Sequence, residues 1–222
     1  MKVTLITHTP EPEKVIASAA KLCYSSSDIE SLMNGLTTEK IEAFIKKLTD
    51  IGHQSPLEHC TFTFGIEGVS RALSHQLVRH RIASYSQKSQ RYVKEGQFEY
   101  ITPPTISKNQ ADLTVYNDFM KYAQEVYDYF IDNGTPAEDA RFVLPNATET
   151  KLIMTMNIRV LLHFLEERCC NRAQWEIREM ADKIHNICKE VAPNLFANAG
   201  ASCVRGKCKE GKMSCGNPKG GR

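Results

Sequence analysis

The hydrophobic and polar positions of this chain follow two periods, which together predict an α+β fold. Alternation of apolar and polar residues predicts β-strands over residues 2–8, 60–67, 97–102 and 148–156. Spacings of three and four residues predict helices over residues 12–22, 39–48, 69–78, 110–131, 136–143, 157–168 and 172–191. We therefore expect helices packed around a modest mixed or antiparallel sheet, with no internal repeat.

Polar residues at the helix starts refine these boundaries. Thr38, Ser70 and Asn157 each precede a helical run, and each offers a side-chain oxygen to the free N–H groups of the first turn. Residues 84–91 are predicted to be a loop, because their hydroxyl and amide side chains compete with helical hydrogen bonds.

Cationic side chains are concentrated between residues 79 and 91, which points to a bound anion. The arginines of this stretch are planar donors that suit phosphate or carboxylate. On the helix capped by Ser70, Gln76, Arg79 and His80 fall at i, i+3 and i+4 and continue an apolar face, so we expect them to be partly buried. A buried arginine needs a counter-charge, which a ligand could supply. The alternative is a solvated charged face.

Composition restricts the function classes. A chain of 222 residues can bury a sizeable core, so one domain over residues 1–205 is expected. The net charge of +2, from 28 basic and 26 acidic residues, gives no global case for binding nucleic acid or membrane. The sequence has neither a long apolar stretch nor a secretion signal, and a cytoplasmic location is expected.

Eight cysteines are expected to be reduced thiols, given that location. Three of them, Cys203, Cys208 and Cys215, lie in or beside a basic, glycine-rich tail over residues 206–222 that lacks apolar periodicity and is predicted to be mobile. Their spacings are not those of common zinc sites, so no metal is expected.

Three segments in order resemble one family. Arg79-His80-Arg81, followed after seven residues by Ser89, is similar to the signature of flavin-dependent thymidylate synthases, the thymidylate synthase-complementing proteins. The upstream segment 52–59, GHQSPLEH, resembles the family's Gly-His-x-Ser-Pro-x-Glu-His segment. Residues 157–159, NIR, and 173–178, AQWEIR, resemble its C-terminal segments. The resemblance covers about residues 1–200.

The resemblance implies an enzyme that converts dUMP to dTMP. Methylenetetrahydrofolate would donate the carbon, and NADPH would supply electrons through FAD, because no side chain can deliver a hydride. It also implies the family-specific fold and a homotetramer with active sites shared between subunits. A nucleic-acid-binding module that uses the Arg79–Arg91 patch is the competing class. Such a protein would be colourless, and its affinity for nucleic acid would fall steeply with salt concentration.

The family's activating arginine corresponds to Arg168. A cation that stabilises the uracil ring after loss of its N3 proton would raise the electron density at carbon 5. Arg168 at a helix C-terminus is equally explained by the helix dipole, and the alternative chemistry is attack by Cys169 or Cys170. The dUMP-binding residues implied by the resemblance are Gln76, Leu77, Val78, Arg79, Gln87, Lys88, Ser89, Gln90, Arg91, Arg141 and Arg168.

The implied flavin site lacks a Gly-x-Gly-x-x-Gly loop, which argues against a Rossmann motif. Its residues by resemblance are His53, Ser55, Glu58, Arg79, His80, Arg81, Gln87, Asn157, Ile158, Arg159 and His163. Gln87 and His163 depart from the family, which often has glutamate and asparagine there.

Overall fold

The computed structural model describes residues 1–219 and confirms an α+β fold. The strands are β1 Lys2–His8, β2 Thr61–Ser70, β3 Ser84–Gln87 and β4 Glu149–Asn157. The α-helices are α1 Pro12–Leu22, α2 Ile29–Asn34, α3 Thr38–Ile51, α4 Arg71–Leu77, α5 Pro104–Ser107, α6 Gln110–Asp132, α7 Ala137–Ala140, α8 Ile158–Arg168, α9 Trp175–Val191 and α10 Pro193–Phe196. Four 3-10 turns cover Ser55–His59, Arg141–Val143, Ser202–Val204 and Gly211–Met213.

The four strands form one antiparallel sheet in the order β1-β2-β4-β3. Successive side chains of a strand point to opposite faces, so every second residue of the central strands can enter the core. In β2 the buried set includes Phe62, Phe64 and Ile66, and in β4 it includes Leu152 and Met154. This is the period-two pattern that predicted both strands.

The contacts of the chain group into two compact units. The first comprises residues 1–2, 66–79 and 85–153, and the second comprises residues 3–65 and 80–84 and the described residues after 153. The first contains a small core of Phe98, Met120 and Ala123. In the second, the ring of Phe62 packs edge-on against Phe196, with centroids 5.9 Å apart. The division into one domain and a tail stays a prediction.

Helix α4 begins as predicted but ends earlier. The Oγ of Ser70 accepts a hydrogen bond of 3.0 Å from the N–H of Leu73, which caps the helix. At the other end, the hydroxyl of Tyr85 donates to the carbonyl of Leu77 at 3.0 Å and satisfies one of the free C=O groups. The predicted helical stripe is therefore wrong. Arg79 lies outside the helix and is exposed, whereas His80 is buried.

The segment predicted as a loop after residue 84 is partly a strand. Residues Ser84–Gln87 form β3 beside β4, and the N–H of Lys88 donates to the carbonyl of Lys151 at 3.0 Å. Pairing with β4 satisfies the backbone N–H and C=O groups of this segment, for which the polar side chains were expected to compete. Conversely, the strand predicted over 97–102 is only an isolated bridge between Tyr100 and Thr148.

Some helix starts are shifted by one to three residues. Thr37, not Thr38, caps α3, because its Oγ1 accepts from the N–H of Lys40. Helix α9 begins at Trp175 instead of Arg172, since the side chain of Gln174 caps it. Helix α2, capped by Asp28, was not predicted.

The described part of the tail contacts the end of α8 and the turn that follows it. Glu166 is paired with both Arg205 and Lys209, and Arg172 lies 3.7 Å from Glu210. Lys219 is paired with Asp182 of α9 at 3.1 Å. Each of these ion pairs has at least one partner that is about a third or more exposed, so each contributes little, and mobility of the tail in solution stays a prediction.

Two further structural findings concern residues 1–219. No three His, Cys, Asp or Glu side chains in this range lie close enough together to hold a metal ion. None of the helices in the same range is long and apolar enough to cross a membrane.

Candidate active site

Helix α8 of the second unit carries the proposed activating residue. Asn157, at the end of β4, caps the helix by accepting a hydrogen bond of 2.9 Å from the N–H of Val160. Arg168 is the last residue of α8, where a cation is favoured by the helix dipole. Its side chain is only 22% exposed, and its Nε donates to Nε2 of His80 at 3.0 Å.

The buried imidazole of His80 is neutral at pH 7. It lies edge-on to the ring of Phe164, with centroids 5.1 Å apart. Burial first of all, together with the positive charge of Arg168, lowers the pKa of His80 to about 4 against the opposing effect of Glu167. Arginine has no acceptor, so Nε2 of His80 must accept, and the ring proton is assigned to Nδ1.

Glu167 lies within ion-pair distance of all three basic groups of this corner, and its longest contact is with Arg168. Its carboxylate oxygens are 3.8 Å from Nε2 of His80, 3.4 Å from Nε2 of His163 and 4.0 Å from Nη2 of Arg168. Glu167 and His163 are largely exposed, so water weakens these attractions. The charge of Arg168 is therefore not neutralised by a directly bonded carboxylate.

The GHQSPLEH segment of the second unit also packs against α8. Nη1 of Arg159 and Oε1 of Glu58 form an ion pair of 2.5 Å. On the same segment, Ser55 Oγ lies 3.0 Å from Nε2 of His53. Nδ1 of His53 is buried and has no hydrogen-bond partner among the described residues. A buried polar atom without a partner is the type of feature that a ligand satisfies.

Three other flavin candidates of the second unit differ in what they can offer. Arg81 is exposed, so its guanidinium is accessible. The side-chain oxygen of Asn157 is already used as the cap of α8. Ile158 is fully buried and its N–H donates to the carbonyl of Cys60 at 2.9 Å, so its side chain and its N–H are both engaged within the protein.

The nucleotide candidates of the first unit fall into two groups. In the first group, which lies in and just after α4, the side chain of Leu77 is buried, so only its backbone can contact a ligand. Gln76 is partly buried, with Nε2 3.5 Å from the carbonyl of Ala72. Val78 and Arg79 are exposed.

The second group surrounds the segment after β3. Gln87 Nε2 donates to Oγ1 of Thr150 at 3.2 Å, and Ser89 Oγ accepts from the N–H of Arg91 at 3.2 Å. Arg91 is paired with the carboxylate of Glu138 at 3.0 Å. Arg141 Nε donates at 3.0 Å to the backbone carbonyl of that same residue. Two predicted phosphate ligands, 50 residues apart in sequence, are thereby brought to one place.

Comparison with known proteins identifies the family of this chain. Residues 4–194 match the family model described as thymidylate synthase complementing protein. The chain belongs to the thymidylate synthase complementing protein family.

Its curated relatives include the flavin-dependent thymidylate synthases of Clostridium tetani and Geobacter sulfurreducens, each 52% identical over 97% of this chain and 93% and 94% of theirs. That of Pyrococcus horikoshii is 40% identical over 96% of this chain and 91% of its own length.

Within this family member, two further residues join the nucleotide group, and sequence reasoning missed both. Arg71 Nη2 donates to Oε1 of buried Gln90 at 3.1 Å. Burial lowers the pKa of Arg71, and repulsion from Arg141 adds to this. Arg71 lies in the first turn of α4, where a cation is disfavoured by the positive end of the helix dipole. This unfavourable placement was the signal in the sequence that could have indicated a functional role for Arg71.

The second missed residue is Glu95, which holds Lys88. The ion pair between them measures 2.7 Å, and Glu95 is only 7% exposed. The backbone N–H of Glu95 donates to the hydroxyl of Tyr127, whereas its Oε1 has no hydrogen-bond partner among the described residues. Nothing in the local pattern marks this residue, because Lys88 lies seven residues away outside any common helix or strand and Tyr127 lies 32 residues away.

Cys169, the cysteine directly after Arg168, is a poor nucleophile in this structure. Cys169 is 2% exposed, and burial raises its pKa to about 12. Only the thiolate is strongly nucleophilic, so a thiol with this pKa is almost wholly inactive at pH 7. The structure therefore favours a structural role for Cys169.

Proposed function

We propose that this chain converts dUMP to dTMP, with methylenetetrahydrofolate as the carbon donor, NADPH as the electron source and Arg168 as the activator of the pyrimidine. The coarser part, flavin-dependent thymidylate synthesis by an enzyme with a flavin cofactor, follows from family membership. The observation that carries the finer part is the charge of Arg168, which is partly buried and bonded to a neutral acceptor.

The chemical need is a nucleophilic carbon 5 in the uracil ring. Loss of the N3 proton leaves a ring anion, and a cation beside it lowers the free energy of that anion by about 1.4 kcal/mol for each unit by which the N3 pKa falls. The interaction is stronger where water is excluded, as it partly is around Arg168. A carboxylate bonded directly to Arg168 would cancel this effect.

The phosphate of the nucleotide is proposed to bind on the first unit. The phosphate would take the guanidinium groups of Arg79, Arg91 and Arg141, and its oxygens would replace those of Glu138 around Arg91. Ser89 and Gln90 would contact the nucleotide by hydrogen bonds, and Ser89 is not proposed as a nucleophile. Gln76, Gln87, Lys88 and the backbone of Leu77 and Val78 complete the site.

FAD is proposed as the group that supplies hydride chemistry when bound. The partnerless Nδ1 of His53 and the accessible guanidinium of Arg81 fit a large ligand with phosphate and ring polar groups. The residues proposed to hold it are His53, Ser55, Glu58, Arg79, His80, Arg81, Gln87, Asn157, Ile158, Arg159 and His163.

We propose a homotetramer that shares its active sites, with residues 1–205 as one domain and a cytoplasmic location. Support for self-association comes from α6, where Val115, Phe119 and Tyr122 are 71%, 54% and 62% exposed. They lie at i, i+4 and i+7, so one face of the helix presents large apolar side chains to solvent.

The direct test is an assay of dTMP formation with a visible absorbance spectrum of the purified protein. The expected result is a yellow protein whose flavin absorbance changes on addition of dUMP, and which forms dTMP only with methylenetetrahydrofolate and NADPH. A colourless protein with salt-dependent affinity for nucleic acid would overturn the proposal in favour of the binding module.

A further inference from the structure

We propose that His80 is a positioning residue, which fixes the guanidinium plane of Arg168 through its Nε2 lone pair without neutralising the charge. The inference rests on the proposed function, in which Arg168 activates the pyrimidine. It assigns to His80 a task that is separate from holding the flavin.

The imidazole is held by one turn of α8. Phe164 and Arg168 lie at i and i+4, so they occupy the same face of the helix. The fully buried ring of Phe164 packs against one side of His80, and Nε of Arg168 donates to Nε2 of the same ring at 3.0 Å. His80 is itself only 7% exposed, so its orientation is restricted by packing.

Neutrality of the acceptor is what distinguishes this arrangement from an ordinary ion pair. A carboxylate at the same position would also orient Arg168, but it would compensate its positive charge. The charged and titratable groups known to act on His80 are Arg168, Glu167 and His163. Burial and Arg168 keep the pKa of His80 well below neutrality, whereas Glu167 opposes them from an exposed position.

The hydrogen bond also determines which part of the guanidinium remains available. With Nε engaged by His80, the two terminal nitrogens are the donors that can face a ligand. Among the described residues, the only other charged contact of Arg168 is that of Nη2 with Glu167 at 4.0 Å. A planar fork with fixed orientation suits a flat pyrimidine with adjacent carbonyl and nitrogen groups.

The test uses two amide variants with the acceptor at different positions. In His80→Gln the amide oxygen reaches the position of Nε2, whereas in His80→Asn it reaches only that of Nδ1. For His80→Gln we expect kcat within about 5-fold of the parent, and for His80→Asn a fall of roughly 30-fold or more, with a smaller change in KM for dUMP. Flavin content and Tm are measured for both variants to separate positioning from loss of cofactor or fold.

A double-mutant cycle tests whether His80 acts through Arg168. We expect His80→Asn to reduce kcat by less than about 3-fold when Arg168 is already alanine, because the positioned group is then absent. In the parent, ¹⁵N NMR of labelled histidine should show an unprotonated Nε2 at pH 7.

The positioning role is overturned by equal activity of the two amide variants, by additive effects with Arg168→Ala, by a protonated Nε2, or by loss of flavin in parallel with activity. Failure of the proposed function is separate from all of these. It would be seen as absence of dTMP formation by the parent, or as full activity of Arg168→Ala.

Discussion

The chain holds its arginines in two different ways, and the contrast separates activation from binding. In the second unit, Arg168 is partly buried and bonded to the neutral ring of His80. In the first unit, Arg91 is half exposed and paired with the carboxylate of Glu138. An exposed ion pair exchanges readily for a ligand phosphate, whereas a cation with no bonded counter-ion keeps its full charge for chemistry.

The largest expected effect comes from removing the activating charge. We expect Arg168→Ala to reduce kcat by about 10²–10³-fold, as loss of one preorganised electrostatic group does in other enzymes. Steady-state dTMP formation measures this, and the flavin spectrum should be retained. The matched control is Arg172→Ala, an arginine four residues later, which should keep kcat within about 3-fold. Unchanged turnover in Arg168→Ala would contradict its role.

A second prediction concerns pH and applies only to the region around His80. Its folded pKa of about 4 lies below the ordinary value of 6.5, so between these values the unfolded chain binds a proton that the folded chain does not. The free energy of unfolding should therefore fall as pH drops from 6.5 to 4, by up to about 1.4 kcal/mol per pH unit. Below pH 4 this contribution stays constant.

Denaturant unfolding of the parent and of His80→Gln at several pH values between 7 and 4 checks this. The parent should lose more stability than the variant over that window, because glutamine does not titrate. Parallel curves for the two proteins would show that His80 is protonated in the folded state as easily as in the unfolded chain.

The third prediction tests the exposed arginine of the first unit. We expect Arg91→Ala to raise KM for dUMP by about 10-fold with kcat within about 3-fold, since a phosphate contact of this kind is worth roughly 1–3 kcal/mol. Glu138→Gln is the complementary change, and its KM should not rise, because the carboxylate competes with the phosphate. A loss of kcat in Arg91→Ala at saturating dUMP would instead indicate that this arginine, like Arg168, takes part in activation.

The smallest effect is expected for the cysteines beside Arg168. Replacing Cys169 and Cys170 together by serine should leave kcat within about 2-fold, because the proposed activation of the pyrimidine uses Arg168 and no thiolate, and the buried thiol of Cys169 has a pKa of about 12. Stability should fall by about 1–3 kcal/mol, since a serine hydroxyl at the buried position needs a partner. Abolished turnover in a folded, yellow variant would instead support a sulfur nucleophile.

Most of the fold could be predicted from local signals. Ser70 and Asn157 cap their helices as expected, and the period-two burial of β2 and β4 follows the sequence. The errors arise where a contact with a residue distant in sequence determines the secondary structure. Helix α4 ends where the Tyr85 hydroxyl reaches the Leu77 carbonyl, and β3 forms because β4 supplies its partner groups.

The candidate site was less accessible to sequence reasoning than the fold. The segments around His53, Arg79 and Asn157 were found by resemblance, because each is a compact motif. The pairing of His80 with Arg168 joins residues 88 positions apart, and that of Arg71 with Gln90 joins residues 19 apart. No periodic pattern encodes contacts over such separations, so these partners required the tertiary structure.

The length of α8 has a consequence for which sequences this site can tolerate. Arg159 and Arg168 stand near opposite ends of one uninterrupted helix, so the rise of 1.5 Å per residue places their backbones about 14 Å apart. Inserting or deleting a single residue between them would swing the terminal guanidinium by about 100° around the axis and away from its imidazole. The helix thus serves as a fixed spacer, and we expect natural variants to change its side chains but never its number of residues.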